Sequence, residues 1–231
     1  WYYSDNKIVF SVHKLRCNLC LMIHEIFFRI IEKTEIAMSN KNEIEGALKR
    51  LIDGNNRYVS SKMAHPNQTE NRRKEVIKGQ KPFAVIVGCS DSRIPPEIIF
   101  DQGIGDLFVI RVAGNIVDDV ALGSVEYAVD HLGTKLVIVL GHGNCGAVTA
   151  TVQGGEAHGH IGSIVRTIAP AVEKARAQTG DLIDNAIKIN VALVVDEIKS
   201  SSTIKKMLEQ DSVRVAGAYY DIDSGKVDII A

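Results

Sequence analysis

Three short apolar runs, each separated from the next by a segment of helical length, constrain the fold of this chain most strongly. They are rich in valine and isoleucine and carry no charge: Phe83–Val87, Leu107–Ile110 and Leu136–Leu140. Strands that are apolar on both sides lie between two layers, as the strands of a parallel sheet do. Helical segments are predicted between them, at Pro95–Phe100 and Val120–Leu132. This alternation predicts an α/β fold with a mainly parallel central sheet flanked by helices.

The flanking segments extend the predicted fold in both directions. Asn42–Val59 carries an apolar helical stripe and predicts an N-terminal helical arm, although its internal Asp-Gly-Asn-Asn run should weaken or end the helix. Ile187–Ile198 fits a helix better than a strand, with Asn190 off the apolar stripe. Val213–Tyr220 and Lys226–Ile230 flank a glycine-containing turn and predict a C-terminal hairpin.

The beginning of the chain does not share this regularity. Residues 1–37 mix apolar runs with charges in no clear period and lack the unbroken apolar centre of a signal peptide. The regular pattern begins near Met38, which we take to approximate the native start. We therefore expect residues 1–37 to be an appendage and residues 38–231 to form a single domain. The pair Cys17 and Cys20 is a lone C-x-x-C and only a weak indication of a metal site.

Composition argues against several classes of protein. The 231 residues include 27 Lys and Arg against 28 Asp and Glu, so no global basic field favours nucleic acid. Four cysteines are too few for the disulfide framework of a small secreted domain. The apolar runs fall far short of the roughly 18 residues that a membrane span needs. We therefore expect a cytoplasmic protein with no membrane or nucleic-acid partner.

Residues with chemical potential follow two of the predicted strands. The first strand leads into Gly-Cys89-Ser-Asp91-Ser-Arg93, and the third leads into Gly-His142-Gly-Asn-Cys145-Gly. Ligands bind at the carboxyl ends of parallel strands, where Cys89, His142 and Cys145 would converge if the two strands are neighbours. Two thiolates and one imidazole favour Zn²⁺, and three protein ligands leave one position open.

Two other interpretations of these motifs exist. Gly141, Gly143 and Gly146 match the dinucleotide fingerprint G-x-G-x-x-G, but the acidic residue expected about 20 positions later is missing, because position 166 is Arg. Alternatively, Cys89 and Cys145 are buried small hydrophobic residues, as free cysteines usually are. The metal site accounts for more of the residues than either alternative does.

The combination of C-x-D-x-R and H-x-x-C closely resembles the β-class carbonic anhydrases, over roughly residues 42–231. Further positions agree with the family pattern, at Gln80, Phe108, Ala113 and Tyr127. The resemblance implies a zinc lyase that hydrates CO₂ reversibly to bicarbonate and a proton, by attack of zinc-bound hydroxide. A zinc hydrolase of a related linear substrate such as carbon disulfide is one alternative. A non-catalytic zinc-stabilised binding domain is another.

The resemblance also implies roles for the residues of the two loops. Cys89, His142 and Cys145 would bind Zn²⁺. Asp91 would either occupy the fourth position, in a closed form, or accept a hydrogen bond from the hydroxide while Arg93 holds it ionised and off the metal. In family members that bicarbonate keeps closed, a Trp stands near the end of the first strand.

The comparable position here is Ile86. We therefore expect the open form, and a neutral-pH crystal structure with Asp91 bound to zinc would contradict it.

The remaining family positions would form the substrate pocket. Gln80 would donate a hydrogen bond to the substrate across a dimer interface, and the Gly146 N–H at a helix start would suit a small anion. Phe108, Ala113 and Tyr127 would be apolar walls. The resemblance therefore implies a homodimer or a higher homo-oligomer.

Overall fold

The computed structural model describes the backbone of residues 5–155 and 157–231, and the side chains from Met22 onward except those of three residues, Ile23, Ile26 and Glu156. In this part of the chain five strands form one sheet in the order β2-β1-β3-β4-β5. The first four are parallel, and β5 pairs antiparallel with β4. The strands are β1 Ala84–Gly88, β2 Leu107–Arg111, β3 Leu136–His142, β4 Arg214–Tyr220 and β5 Val227–Ile229. The predicted α/β fold and its C-terminal strand pair are therefore confirmed.

Helices cover both faces of this sheet, and a 3₁₀ turn, Ala113–Asn115, follows β2. All five residues of β1 and all seven of β3 are buried, as their unbroken apolar pattern predicts. No helix among the described residues is long and apolar enough to cross a membrane. The helices are α1 Asp5–Val59, α2 Glu70–Glu75, α3 Pro96–Ile99, α4 Asp119–Asp130, α5 Gly146–Gln153, α6 Ile161–Ala175, α7 Leu182–Ser200 and α8 Ser202–Leu208.

Helix α7 includes Ile187–Ile198, for which the sequence favoured a helix over a strand. It is helical throughout, as predicted. The position of Asn190 differs from the prediction. It was expected off the apolar stripe, yet only 2% of its surface is exposed. Ile187, one turn before it, and Val191, directly after it, are also buried, so α7 carries an amide into the core.

Helix α1 is longer than predicted and continues through Gly54 to Val59. Gly54 lies so close to the next layer that a Cβ would come 1.8 Å from the carbonyl oxygen of Phe100. The next residue, Asn55, is buried and donates its amide to the carbonyls of Ile99 at 3.2 Å and Gly225 at 2.9 Å. Tertiary contacts thus outweigh the weak helix propensity of this run.

The backbone of α1 is also helical at its other end, from Asp5 onward. The side chains described between Met22 and Ile36 are exposed, and no strand or core cluster includes them. That residues 1–37 are an appendage to a domain of residues 38–231 stays a prediction. The side chains of Cys17 and Cys20 lie outside the described residues.

Gly54→Ala tests the close approach of α1 to α3. We expect the added methyl group to separate the two backbones and to lower the free energy of unfolding by about 1–3 kcal/mol, the cost of overpacking. Gly46→Ala in the same helix is the matched control, since no described atom lies within 4 Å of its Cβ position. That substitution should stabilise the helix by about 0.5–1 kcal/mol. Equal thermal unfolding shifts in the two variants would contradict this account of Gly54.

Candidate metal centre

The metal centre lies where β1 and β3 end side by side. The two strands pair in parallel, with Gly88 in register with Leu140, so Cys89 and His142 both follow at the same edge of the sheet. Cys145, three residues later, stands at the N-cap position of α5. All three side chains are buried, and their ligand atoms lie within 4.8 Å of one another. The strand pairing thus brings together the three residues predicted as ligands.

The His142 ring is oriented for metal binding. Its Nδ1 lies 2.9 Å from the carbonyl oxygen of Gly143, which can only accept, so the proton is on Nδ1. Nε2 then carries a lone pair, is buried, and has no hydrogen-bond partner among the described residues. A buried acceptor without a partner is costly unless something binds it. A metal ion would fill this need, and a carbonyl on the second nitrogen is typical of ligating histidines.

The two thiols form a closely coupled pair. A hydrogen bond from the Cys145 thiol lowers the pKa of Cys89, and the Gly114 N–H, 3.2 Å from Cys89 Sγ, acts in the same direction. The same contact and burial raise the pKa of Cys145. The pair therefore tends to retain one proton, which a bound dication would displace. Two thiolates and one imidazole leave the fourth position of a tetrahedral zinc ion to another ligand, as catalytic zinc sites do, so these residues fit Zn²⁺.

Asp91 forms a two-point ion pair with Arg93 beside the three ligands. Arg93 donates from Nε to Asp91 Oδ1 at 2.9 Å and from Nη2 to Oδ2 at 2.7 Å. The Arg93 side chain holds the pKa of the Asp91 carboxyl well below its usual range. Arg93 also donates to the Asn144 carbonyl at 3.0 Å, which links the two loops. Asp91 Oδ2 lies 3.9 Å from His142 Nε2, so the ionised carboxylate is adjacent to the ligands.

Arg111 also belongs to this site, although the sequence reasoning missed it. It is the last residue of β2, in register with Gly88, and its Nε donates to the Cys89 carbonyl at 2.8 Å. A second donor, Nη2, bonds to the Asp91 carbonyl. Arg111 therefore fixes the backbone of the loop that carries both residues. The available signal was a charged residue directly after an apolar strand.

Not all the predicted pocket residues lie near these ligands. Ala113 and Gly146 do, since the first precedes Gly114 and the second follows Cys145. Phe108 is in register with Val85, four residues before Cys89 in β1, which is about 13 Å along a strand.

The side chain of Tyr127 packs with Phe108, their ring centroids 6.4 Å apart. Gln80 is exposed and precedes the amino end of β1, at the opposite edge of the sheet from Cys89. Within one chain, Gln80 and the Phe108–Tyr127 pair therefore lie apart from the ligands.

The glycines of the second loop serve packing rather than dinucleotide binding. A Cβ on Gly141 would lie 2.4 Å from Val191 Cγ2 in α7, and one on Gly143 would lie 2.9 Å from the Tyr219 hydroxyl. Both glycines allow close contact inside the protein. Packing therefore accounts for two of the three glycines of the G-x-G-x-x-G pattern, whereas no atom of the described residues lies within 4 Å of a Cβ on Gly146.

Comparison with known proteins agrees with this site. Residues 84–227 match the family model described as "Carbonic anhydrase". Carbonic anhydrase 2 of Mycobacterium tuberculosis is 40% identical over 194 residues, 82% of this chain and 93% of that protein. The carbonic anhydrase of Mycolicibacterium smegmatis is 38% identical over 197 residues, 83% of this chain and 95% of that protein.

Solved structures show the same likeness in three dimensions. One of two tetrameric β-carbonic anhydrases from the ascomycete Sordaria macrospora superposes with a TM-score of 0.64 at 27% identity, covering 69% of this chain and 85% of that one. The range matched by the family model, residues 84–227, contains all three candidate ligands and the Asp91–Arg93 pair. The chain therefore belongs to the β-class carbonic anhydrases, the lyases that convert carbon dioxide and water reversibly into bicarbonate and a proton.

Proposed function

We propose that Cys89, His142 and Cys145 hold one Zn²⁺ and that CO₂ is hydrated beside it. The observation that carries this proposal is the convergence of three buried ligand atoms within 4.8 Å, one of them an imidazole nitrogen with no other partner among the described residues. Zinc, when bound, makes a water molecule acidic enough to serve as a nucleophile near neutral pH. The protein's own residues have to place that nucleophile and the gas.

Asp91 and Arg93 orient the nucleophile in this proposal. The carboxylate of Asp91 stays ionised because Arg93 lowers its pKa, so it can only accept a hydrogen bond. By accepting a hydrogen bond from the nucleophile, the carboxylate turns an oxygen lone pair of that nucleophile toward CO₂. Since both Asp91 oxygens already bond to Arg93, the carboxylate is restrained from moving onto the metal. This arrangement favours the open form of the site.

A second copy of the chain supplies the remaining pocket residues. Gln80, Phe108 and Tyr127 lie too far along the sheet to line the zinc site of their own chain. In a twofold dimer each subunit contributes the same surface to the other, so these residues can reach the partner's ligands. Ala113 and Gly146 line the site from within the chain. Because Gln80 would reach the substrate only from a partner, a homodimer is the smallest active unit.

A reducing compartment suits these ligands, and we assign the protein to the cytoplasm on that ground. Cys89 and Cys145 have to remain thiolates to bind the metal, and an oxidant would join them instead. Their sulfur atoms already lie within 4.8 Å of each other. Zinc binding protects the pair by occupying both sulfurs.

Substitution of a ligand and of the orienting carboxylate should have different effects. Cys145→Ala is expected to lose stoichiometric zinc and CO₂ hydration together, because two ligands hold zinc poorly. Asp91→Asn is expected to keep zinc but to reduce kcat/KM about 100-fold, since the amide can donate a competing hydrogen bond. Metal analysis and stopped-flow CO₂ hydration measure the two effects.

Ser92→Ala in the same exposed loop is the control and should behave as wild type. Full zinc content in Cys145→Ala would refute the ligand assignment. A zinc-loaded wild-type protein without hydration activity above pH 8 would refute the proposed reaction.

Mixing two inactive variants tests whether Gln80 acts across the interface. Gln80→Ala keeps its zinc ligands, whereas Cys145→Ala keeps Gln80. In an equal, randomly assembled mixture half of the dimers are mixed, and each has one complete site, so about a quarter of wild-type activity should return. Stopped-flow hydration of the co-expressed pair measures this.

The control mixture pairs Gln80→Ala with Gln80→Ala/Cys145→Ala, which leaves no complete site in any assembly. If the test mixture gains no activity over this control, Gln80 does not act from a partner subunit.

A further inference from the structure

The hydrogen bond from the Gly114 N–H to Cys89 Sγ depends on an unusual turn. Gly114 has φ 72°, in the left-handed region that favours glycine. A Cβ there would also lie 2.6 Å from Ile168 Cδ1, so α6 packs directly against the turn. The N–H and the sulfur are both buried at a separation of 3.2 Å. The turn is therefore built around a donor that points at a candidate metal ligand.

Asn190, in helix α7, is hydrogen-bonded to this turn. Its Nδ2 donates to the Gly114 carbonyl at 2.9 Å, across 76 positions of sequence. Burying an amide in an apolar helix face costs free energy unless it is hydrogen-bonded. An apolar side chain at this position would pack without that cost. The hydrogen bond to the Gly114 carbonyl therefore accounts for the amide side chain at this buried position.

Helix α7 also packs against the strand that carries a second candidate ligand, His142. Val191, the neighbour of Asn190, packs against glycines in β3 and β4. A Cβ on Gly141 would lie 2.4 Å from Val191 Cγ2, and one on Gly217 would lie 2.6 Å from Val191 Cγ1. Gly141 directly precedes His142 in the chain. The same helix turn therefore supports the strand that carries His142 and the turn that donates to Cys89.

We propose that Asn190 is a positioning residue for the metal site: through the Gly114 carbonyl it keeps the Gly114 N–H aimed at Cys89 Sγ and thereby weakens that sulfur as a donor to zinc. This inference rests on the proposed zinc function. Two thiolates offset the charge of a zinc ion and so oppose its activation of water. An N–H donated to one thiolate draws electron density from the sulfur and restores part of the ion's Lewis acidity. Asn190 acts only through Gly114 and does not itself touch the metal.

The test uses the full-length protein with cobalt in place of zinc. Thiolate-to-cobalt charge transfer gives an absorption band whose energy falls when a hydrogen bond to the sulfur is lost. Asn190→Leu removes the amide and keeps the buried volume. We expect its band to move to longer wavelength and the kcat/KM of its zinc form to fall about tenfold with zinc content unchanged.

Val194→Ala, one turn along α7, is the control for a general loosening of this helix. Its band should stay at the wild-type position and its activity within about twofold. Asn190→Ala serves as a second variant, so that the measurement remains decisive if Asn190→Leu does not fold. An unchanged band in whichever Asn190 variant folds would overturn the proposal, as would an equal shift in Val194→Ala.

The failure of this inference can be told from failure of the proposed zinc site. If wild-type protein shows no charge-transfer band, or one that Cys145→Ala leaves unchanged, the ligand assignment is wrong. If the wild-type band depends on Cys145 but is indifferent to Asn190, only the positioning role is wrong.

Discussion

The parallel pairing of β1 with β3 is the constraint on which the rest of the site depends. Its register places the residues after Gly88 and after Leu140 at one edge of the sheet, although about 50 residues of chain separate them. A shift by one residue would turn His142 to the other face of the sheet, because side chains alternate along a strand. Both strands are buried along their whole length, so a slip would misplace closely packed side chains on both faces of the sheet. The packing of the core thus fixes the position of Cys89 relative to His142.

Hydrogen bonds from side chains to backbone carbonyls refine that geometry. Arg111 holds two carbonyls of the Cys89–Asp91 loop, Arg93 bridges to the Asn144 carbonyl of the other loop, and His142 is oriented by the Gly143 carbonyl. These acceptors lie at fixed positions next to strand ends and have no rotamers to lose. A site held in this way loses little entropy when a metal binds, because its ligands are already oriented.

Local pattern predicted the parts of this structure that depend on local information. Three apolar runs and a predicted hairpin identified all five strands, and Cys89, His142 and Cys145 stood out because their residue types imply a chemistry at strand ends. Contacts between segments that are distant in the sequence could not be predicted from local pattern. Helix α1 continues through Gly54 because of a carbonyl in another layer, and Asn190 is buried because of a turn 76 positions away. Neither partner is visible from the helix's own sequence.

The two ends of the sheet explain why one chain would carry an incomplete site if Gln80 acts as proposed. A parallel sheet collects its ligands at the carboxyl edge, so the zinc residues gather there, whereas Gln80 precedes the amino end of β1. A single domain cannot fold its amino edge onto its carboxyl edge without breaking the strands between them. Association of two identical chains can satisfy both requirements, because a twofold axis can bring the amino-edge residues of one chain to the carboxyl edge of the other. In the proposed dimer, the need for a second chain is then a consequence of Gln80 lying at the end of the sheet opposite to the three ligands.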